Sequence, residues 1–314
     1  MSKIAKTAPG KIILFGEHAV VYGQPAIAVP VTQVQAKAIV SPDIHADPGS
    51  IRIEAPQIEL KSPLADLAID DALALAVTLT LKYLEITRPP AFKLKVTSTI
   101  PLAAGLGSGA AVSVSVIRAV SEFLGQVLDN ETVNTLAYEV EKLHHGTPSG
   151  IDNTVVTYAQ PVYFVRGQTM ETFAVSRDFT IVIGDTGVFS PTSSTVGDVR
   201  SGWEASQEKY DLLFENIGTL SQKARPAIEQ GETEVLGELM NANHAHLVKM
   251  GVSCPELDSL VQVARDAGAL GAKLSGGGRG GNMITLVRPD DADAMARTLT
   301  EAGATNTIIT RVGT

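Results

Sequence analysis

One segment constrains this chain more than any other: Pro101-Leu-Ala-Ala104-Gly105-Leu106-Gly107-Ser108-Gly109-Ala110-Ala111, a glycine-rich turn between a strand-like and a helix-like run. Upstream, residues 91–97 (Ala-Phe-Lys-Leu-Lys-Val-Thr) alternate apolar with polar side chains, as a half-buried strand does. Downstream, Val112, Val116, Val120 and Phe123 recur at helical spacing. A glycine turn alone is more often a tight connection than a binding loop. In the order strand, turn, helix it becomes an anion cradle. Glycines let backbone N–H groups crowd round an anion, and the helix that follows points its unpaired N–H groups and positive dipole end the same way. The expected ligand is a nucleotide. The turn lacks the Gly-Lys-Ser/Thr ending of a Walker A loop, and it lacks the spacing and downstream acid of a dinucleotide fingerprint.

Three further motifs carry ionisable or glycine-rich chemistry. In the first, residues 8–23 (Ala-Pro-Gly-Lys-Ile-Ile-Leu-Phe-Gly-Glu-His-Ala-Val-Val-Tyr-Gly), Lys11 opens a strand, and Glu17 and His18 sit past its end in a glycine-flanked turn. A lone lysine or histidine is usually a solvated or structural group, but three ionisable groups tied to one strand could meet a polar substrate. In the second, residues 141–153 (Glu-Lys-Leu-His-His-Gly-Thr-Pro-Ser-Gly-Ile-Asp-Asn), Glu141 follows Ala137 by one helical turn and borders an apolar stripe, while Asp152 lies in a turn closed by glycines and a proline. The plain readings are a solvated glutamate and an Asx-turn. One carboxylate for a metal and one for a proton is also the combination that phosphoryl transfer needs. The third motif, residues 273–281 (Lys-Leu-Ser-Gly-Gly-Gly-Arg-Gly-Gly), is a glycine turn between strands that suits close approach of backbone to a ligand.

The chain has 314 residues, 44% of them hydrophobic, enough for about two packed domains. Cys254 is the only cysteine, so no internal disulfide forms. No run approaches the ~18 apolar residues of a membrane span, and the first residues lack a signal-peptide core, so a cytoplasmic, membrane-free protein is expected. A net charge of -9 argues against nucleic acid as a partner. Residues 66–83 read as an Ala/Leu-rich helix entered through two aspartates, and residues 131–145 as a helix started by Asp129-Asn130 with Val133, Leu136, Ala137, Val140 and Leu143 on one stripe. Beyond Asp152 short strands are expected at 155–158, 162–165 and 179–183, then largely helix from 202 to 250. The final third reads helix (255–267), strand (273–275), glycine turn, strand (282–287), helix (290–302), strand (306–311), the split-βαβ pattern of helices on one face of an antiparallel sheet. The domain boundary is placed near residue 165, dividing 1–165 from 166–314.

The sequence resembles the GHMP kinases. Their three signatures, an N-terminal strand motif, a Pro-x-x-x-Gly-Leu-Gly-Ser-Ser-Ala loop and a C-terminal Gly-x-Gly-x-Gly-Gly turn, occur here in order across nearly the whole chain. The resemblance implies an α+β, two-domain fold: an N-terminal ATP-binding domain like ribosomal protein S5 domain 2, and a ferredoxin-like C-terminal domain. Residues 11–23 and 145–153 are most similar to members that phosphorylate the primary hydroxyl of (R)-mevalonate with ATP and Mg2+, giving 5-phosphomevalonate in isoprenoid biosynthesis. Carried over by the resemblance, Asp152 takes the proton of that hydroxyl, and Lys11 lowers the cost of alkoxide character at the attacking oxygen. Glu141 and Ser108 are expected at the metal. Pro101, Ala104, Gly105, Leu106, Gly107, Ser108, Gly109 and Ala110 would form the ATP phosphate loop. Glu17, His18 and Thr192 would contact mevalonate, and Gly276, Gly277, Gly278 and Gly280 belong to the turn that closes over the active site.

The chain departs from the pattern in places. Gly109 replaces the family's second loop serine, Gly277 replaces a more usual alanine, and Val112 stands where animal members carry a substrate-side tyrosine. Another small-alcohol kinase, acting on phosphomevalonate or homoserine, is the alternative, the Glu17-His18 pair being the discriminator. A non-catalytic nucleotide sensor would be expected to have lost Lys11 or Asp152, and both are present. The oligomeric state is open, a homodimer being one option.

Overall fold

The computed structural model describes residues 2–101, 104–145 and 148–313. Leu102 and Ala103 of the glycine-rich loop, and Gly146 and Thr147 of the motif after Glu141, lie outside the described residues. In chain order the elements are β1 (Ile4–Phe15), β2 (Ala26–Pro42), β3 (Ile51–Ala55), β4 (Leu60–Pro63), α1 (Ala72–Tyr83), β5 (Phe92–Ser98), α2 (Ser108–Phe123), α3 (Asn130–His145), α4 (Ile151–Tyr158), β6 (Val162–Phe164) and β7 (Glu171–Thr172). There follow β8 (Phe179–Asp185), α5 (Thr192–Ala205), α6 (Gln207–Gln230), α7 (Thr233–Met250), α8 (Pro255–Asp266), β9 (Gly271–Leu274), β10 (Asn282–Val287), α9 (Ala292–Glu301) and β11 (Asn306–Val312). The chain divides into two compact units, residues 1–11 with 34–159 and residues 12–33 with 160–314. The segment 12–33 therefore belongs with the C-terminal part of the chain.

In the first unit β3 pairs antiparallel with β4 and parallel with β5, and β5 pairs antiparallel with the second half of β2, Ala36 opposite Ser98 through Pro42 opposite Phe92. Alternation decides which side of β5 is inside: Phe92, Leu94 and Val96 are buried, with Lys93 and Lys95 between them. Helix α2 packs against α1, α3 and α4. That surrounding explains its composition. Ala110, Ala111, Ser113, Ser115, Ala119 and Ser121 are all buried, small enough to admit neighbours on several sides, and the serine hydroxyls donate to carbonyls of their own helix.

In the second unit a four-stranded sheet in the order β11-β8-β10-β9 is antiparallel throughout, with Ile183 opposite both Ile284 and Ile308. Helices α7 and α8 pack on β9, and α9 on β8 and β11. Phe214, Ile217, Leu247, Leu257, Leu260, Leu274, Met283 and Leu299 form the core beneath them. The first half of β2 pairs with β6 in the same unit, Ala26 opposite Phe164. Among the described residues no helix is long and apolar enough to cross a membrane.

Three local expectations are corrected. Residues 155–158 are helix, not strand: α4 starts at Ile151 after Gly150 in the left-handed region, so Asp152 lies in a first helical turn rather than an Asx-turn. Because α4 is buried on most sides by α2 and α3, its β-branched residues show no helical contrast. Helix α1 begins at Ala72, not at Asp66, because Asp71 caps it, its side chain accepting the Ala74 N–H at 2.9 Å. Lys11 lies well inside β1 rather than opening it, because the strand already begins at Ile4 and continues through Pro9-Gly10.

Only one of the two aspartates before α1 caps it. Asp71→Ala should lower the free energy of unfolding by about 1 kcal/mol, the usual worth of an N-cap, whereas Asp70→Ala should change it by less than about 0.5 kcal/mol. Urea unfolding of both variants followed by circular dichroism checks this. Equal losses would contradict the assigned cap.

Candidate active site

The first unit brings Lys11, the glycine turn, Glu141 and Asp152 together. The Lys11 backbone N–H donates to the Leu106 carbonyl at 2.9 Å, tying β1 to the turn. Gly107 then enters α2 at φ +72°, and a Cβ built there would lie 2.7 Å from Cγ of Lys11. Glycine is needed on both counts: the backbone is left-handed, and the Lys11 stem runs across the site where a side chain would stand. That stem is nearly buried, 8% exposed, and its Nζ sits 3.0 Å from Oδ1 of Asp152, whose side chain is 35% exposed. The cation is thus held in place while the carboxylate keeps a solvent-facing side.

Ser108 begins α2, where the first-turn N–H groups have no earlier helical carbonyl to pair with. Glu141, buried near the C-terminal end of α3, comes to the same place: its Oε1 lies 3.2 Å from a Cβ built on Gly109. Gly109 has an ordinary helical φ, so a serine at that position would be free of backbone strain and would stand against the Glu141 carboxylate. Among the described residues no group of three or more His, Cys, Asp or Glu could hold a metal by itself. One buried carboxylate and one hydroxyl at a helix N-terminus instead suit a hard divalent cation that completes its shell with waters and phosphate oxygens.

The second unit holds Glu17, His18, Thr192 and the C-terminal glycine turn. His18 stands at φ 61°, ψ -47°, outside the regions a non-glycine residue normally occupies. Its Nε2 lies 2.9 Å from the Gly277 carbonyl oxygen. A carbonyl only accepts, so Nε2 carries the proton; Nδ1 is then a bare acceptor, buried and without a partner among the described residues. Burial lowers the pKa of His18 below the ordinary histidine value, the Gly277 carbonyl and Glu17 opposing that shift and Arg279 adding to it. The ring is neutral at physiological pH.

The Glu17 side chain is fully buried. Its Oε1 takes the ammonium of Lys273 on β9, and its Oε2 accepts from Nδ2 of Asn243 on α7 at 3.0 Å. Both oxygens are thereby occupied inside the protein. Thr192, the exposed first residue of α5, sits against the glycine turn, its Oγ1 2.9 Å from a Cβ built on Gly277. The absence of a side chain at 277 is what gives Thr192 its room. The turn is fastened by the Arg279 N–H on the Val252 carbonyl at 2.8 Å, the Gly281 N–H on the Val188 carbonyl at 3.0 Å, and an ion pair between Arg279 and Asp198. Backbone carbonyls of Val252 and Val188 lie where Cβ atoms on Gly278 and Gly280 would be, whereas Gly276 faces open space.

Lys273 and Asn243 escape a reading by motif. The available signal was a lysine inside an apolar strand, Gly-Ala-Lys-Leu, all four residues of which are buried. A lysine in such a strand requires a carboxylate partner. Beside it, His244 on α7 accepts the Leu274 N–H at Nδ1 (3.3 Å), and burial lowers its pKa to about 4.

Models of the GHMP kinase N-terminal and C-terminal domains match residues 72–160 and 224–305. Mevalonate kinase of Pyrococcus abyssi is 37% identical, the match covering 98% of this chain and 95% of that one. The enzyme of the same name from Thermococcus onnurineus is 36% identical over 96% and 94%. The crystal structure of L. major mevalonate kinase in complex with R-mevalonate superposes with a TM-score of 0.84 at 31% identity, covering 98% of this chain and 95% of that chain. The chain belongs to the GHMP kinases, enzymes that take ATP and a small-molecule acceptor.

Gly105 and Gly107 are both left-handed, but among the described residues only a Cβ on Gly107 meets a neighbour within 4 Å. Gly105→Ala should therefore cost about 1 kcal/mol of stability through backbone strain alone. Gly107→Ala should cost about 2–3 kcal/mol and lower ATP turnover about tenfold or more, because Lys11 must move. Thermal melts and an ADP-release assay read both. Equal stability losses would show that the Lys11 stem gives way freely.

Proposed function

We infer that this chain transfers the γ-phosphoryl group of ATP to the primary hydroxyl of (R)-mevalonate, forming 5-phosphomevalonate and ADP. The observation that carries the chemistry is the Lys11–Asp152 pair at 3.0 Å. Relatives at 36–37% identity over nearly the full length carry the choice of acceptor. In the reaction the acceptor oxygen forms a bond to the γ-phosphorus as the bond to the β-phosphate oxygen breaks, and ADP leaves. Asp152 accepts the hydroxyl proton at a carboxylate oxygen. The Lys11 ammonium, on a stem whose strand is tied to the glycine turn by the Lys11 backbone N–H on the Leu106 carbonyl and which passes the open face of Gly107, offsets negative charge on the attacking oxygen. Phosphoryl transfer asks a protein for little beyond such positioning and charge neutralisation.

The phosphates are assigned to the backbone N–H groups of Gly105, Leu106, Gly107, Ser108, Gly109 and Ala110 and to the N-terminus of α2, with Pro101 and Ala104 shaping the entry to the loop. Glu141 and the Ser108 hydroxyl fit Mg2+, which, when bound, screens the phosphate charge and aligns it for in-line displacement. In the second unit His18, neutral and with Nδ1 unsatisfied, is suited to accept a hydrogen bond from the acceptor substrate. Thr192 presents a hydroxyl beside the turn of Gly276, Gly277, Gly278 and Gly280. Glu17, whose oxygens are both engaged, serves recognition through His18 rather than by touching the substrate. The proposed compartment is the cytoplasm, in keeping with the single cysteine.

ADP release measured with mevalonate, phosphomevalonate, homoserine and galactose tests this reading. Mevalonate should give a kcat/KM about 100-fold or more above the others, and Asp152→Asn should lower kcat by about 10² or more while ATP still binds. Preference for another acceptor would overturn the substrate assignment. Near-normal turnover of Asp152→Asn would show that the proton leaves by another route.

A further inference from the structure

The ion pair between Lys273 and Glu17 is fully buried and lies next to a residue with strained backbone, His18. Lys273 is wholly inaccessible to solvent, and besides Glu17 its ammonium meets the Leu274 carbonyl at 2.7 Å. Burying a charged pair gives little net stability, and a well-packed apolar pair of similar volume often does as well or better. Such a pair therefore calls for an explanation other than stability. The residue that follows Glu17 supplies one. His18 holds φ 61°, ψ -47°, a conformation that persists only where the surroundings over-determine it. On one side it is fixed by its own Nε2–H on Gly277, on the other by Glu17, which Lys273 and Asn243 grip from two separate elements, β9 and α7.

We propose that Lys273 is a positioning residue for acceptor recognition: through Glu17 it holds His18 in its strained backbone, with Nε2–H on the Gly277 carbonyl and Nδ1 left to accept from a substrate hydroxyl. Lys273 lies on β9 and Gly277 in the turn that directly follows it, so one short stretch carries both the carboxylate clamp and the carbonyl that takes the His18 ring. Asn243 steadies the clamp by holding the oxygen of Glu17 that Lys273 does not. The proposal rests on the reading of His18 as an acceptor-substrate contact, and its test has a readout that does not depend on that reading.

The test compares Lys273→Met with the double variant Glu17→Gln/Lys273→Met. The single variant strands a buried carboxylate, and its melting temperature should fall by about 10 °C. The double variant removes both charges at nearly constant volume and should recover most of that fall. In the double variant KM for mevalonate should rise about tenfold or more, with kcat and KM for ATP within about threefold of the parent. In 15N histidine NMR spectra the parent His18 should show one Nε2–H tautomer, replaced by mixed tautomers in the double variant. A double variant with recovered melting temperature, parental KM and an unchanged His18 tautomer would overturn the proposal and leave Lys273 a structural residue. If the parent enzyme fails to phosphorylate mevalonate, the substrate reading falls, and the His18 spectra still decide the positioning role. Should neither Lys273 variant fold, Glu17→Gln alone, which exchanges one atom of the clamp, is read in the same way.

Discussion

The ion pair between Lys11 and Asp152 is the interaction on which the catalytic reading depends, and several separate features converge to make it. The Lys11 stem is 8% exposed, so its ammonium has few waters and few rotamers to lose. It reaches Asp152 because β1 is tied to Leu106, because Gly107 offers no side chain in its path, and because α4 begins at Ile151 and places Asp152 in the first helical turn. A longer side chain at 107 or a strand in place of α4 would part the two groups. The carboxylate remains about a third exposed, which leaves it open for the proton transfer proposed above. A pair locked on both oxygens could not do so.

The second lysine–glutamate pair shows the contrast. Glu17 and Lys273 have fully buried side chains, and both oxygens of Glu17 are taken. Its function is therefore read through what it holds, the strained His18. The two pairs share one chemistry and differ in how many carboxylate oxygens the protein occupies, which suits Asp152 to the proposed proton transfer and Glu17 to the proposed clamp. The glycine turns serve them in the same way. Gly107 makes room for Lys11, and Gly277 makes room for Thr192 while its carbonyl fixes the His18 tautomer.

Much of this was legible in the sequence. The order strand, glycine turn, helix around residue 105, the Asp129 start of α3 and the hairpin of β9 and β10 follow from patterns that local physics enforces. What escaped has definite causes. Helix α4 is buried on most sides and built of β-branched residues, so it carries no 3.6-residue contrast and imitates a strand. The start of α1 rests on one cap, Asp71, that composition does not distinguish from Asp70 or Asp66. The clamp of Lys273 and Asn243 on Glu17 joins residues more than 220 positions apart, and such pairing leaves no mark on local pattern. Gly277 reads as a departure from a family pattern, and only the position of Thr192 shows what the missing methyl allows.

The measurement that bears most directly on the Lys11–Asp152 pair is a double-mutant cycle on kcat, with Lys11→Met, Asp152→Asn and both together, at saturating ATP and mevalonate. If the two groups act as one unit on one proton and one oxygen, the double variant should be no more than about threefold slower than the slower single variant. If instead the losses multiply, each group works independently. The coupled pair would then not be the seat of the chemistry.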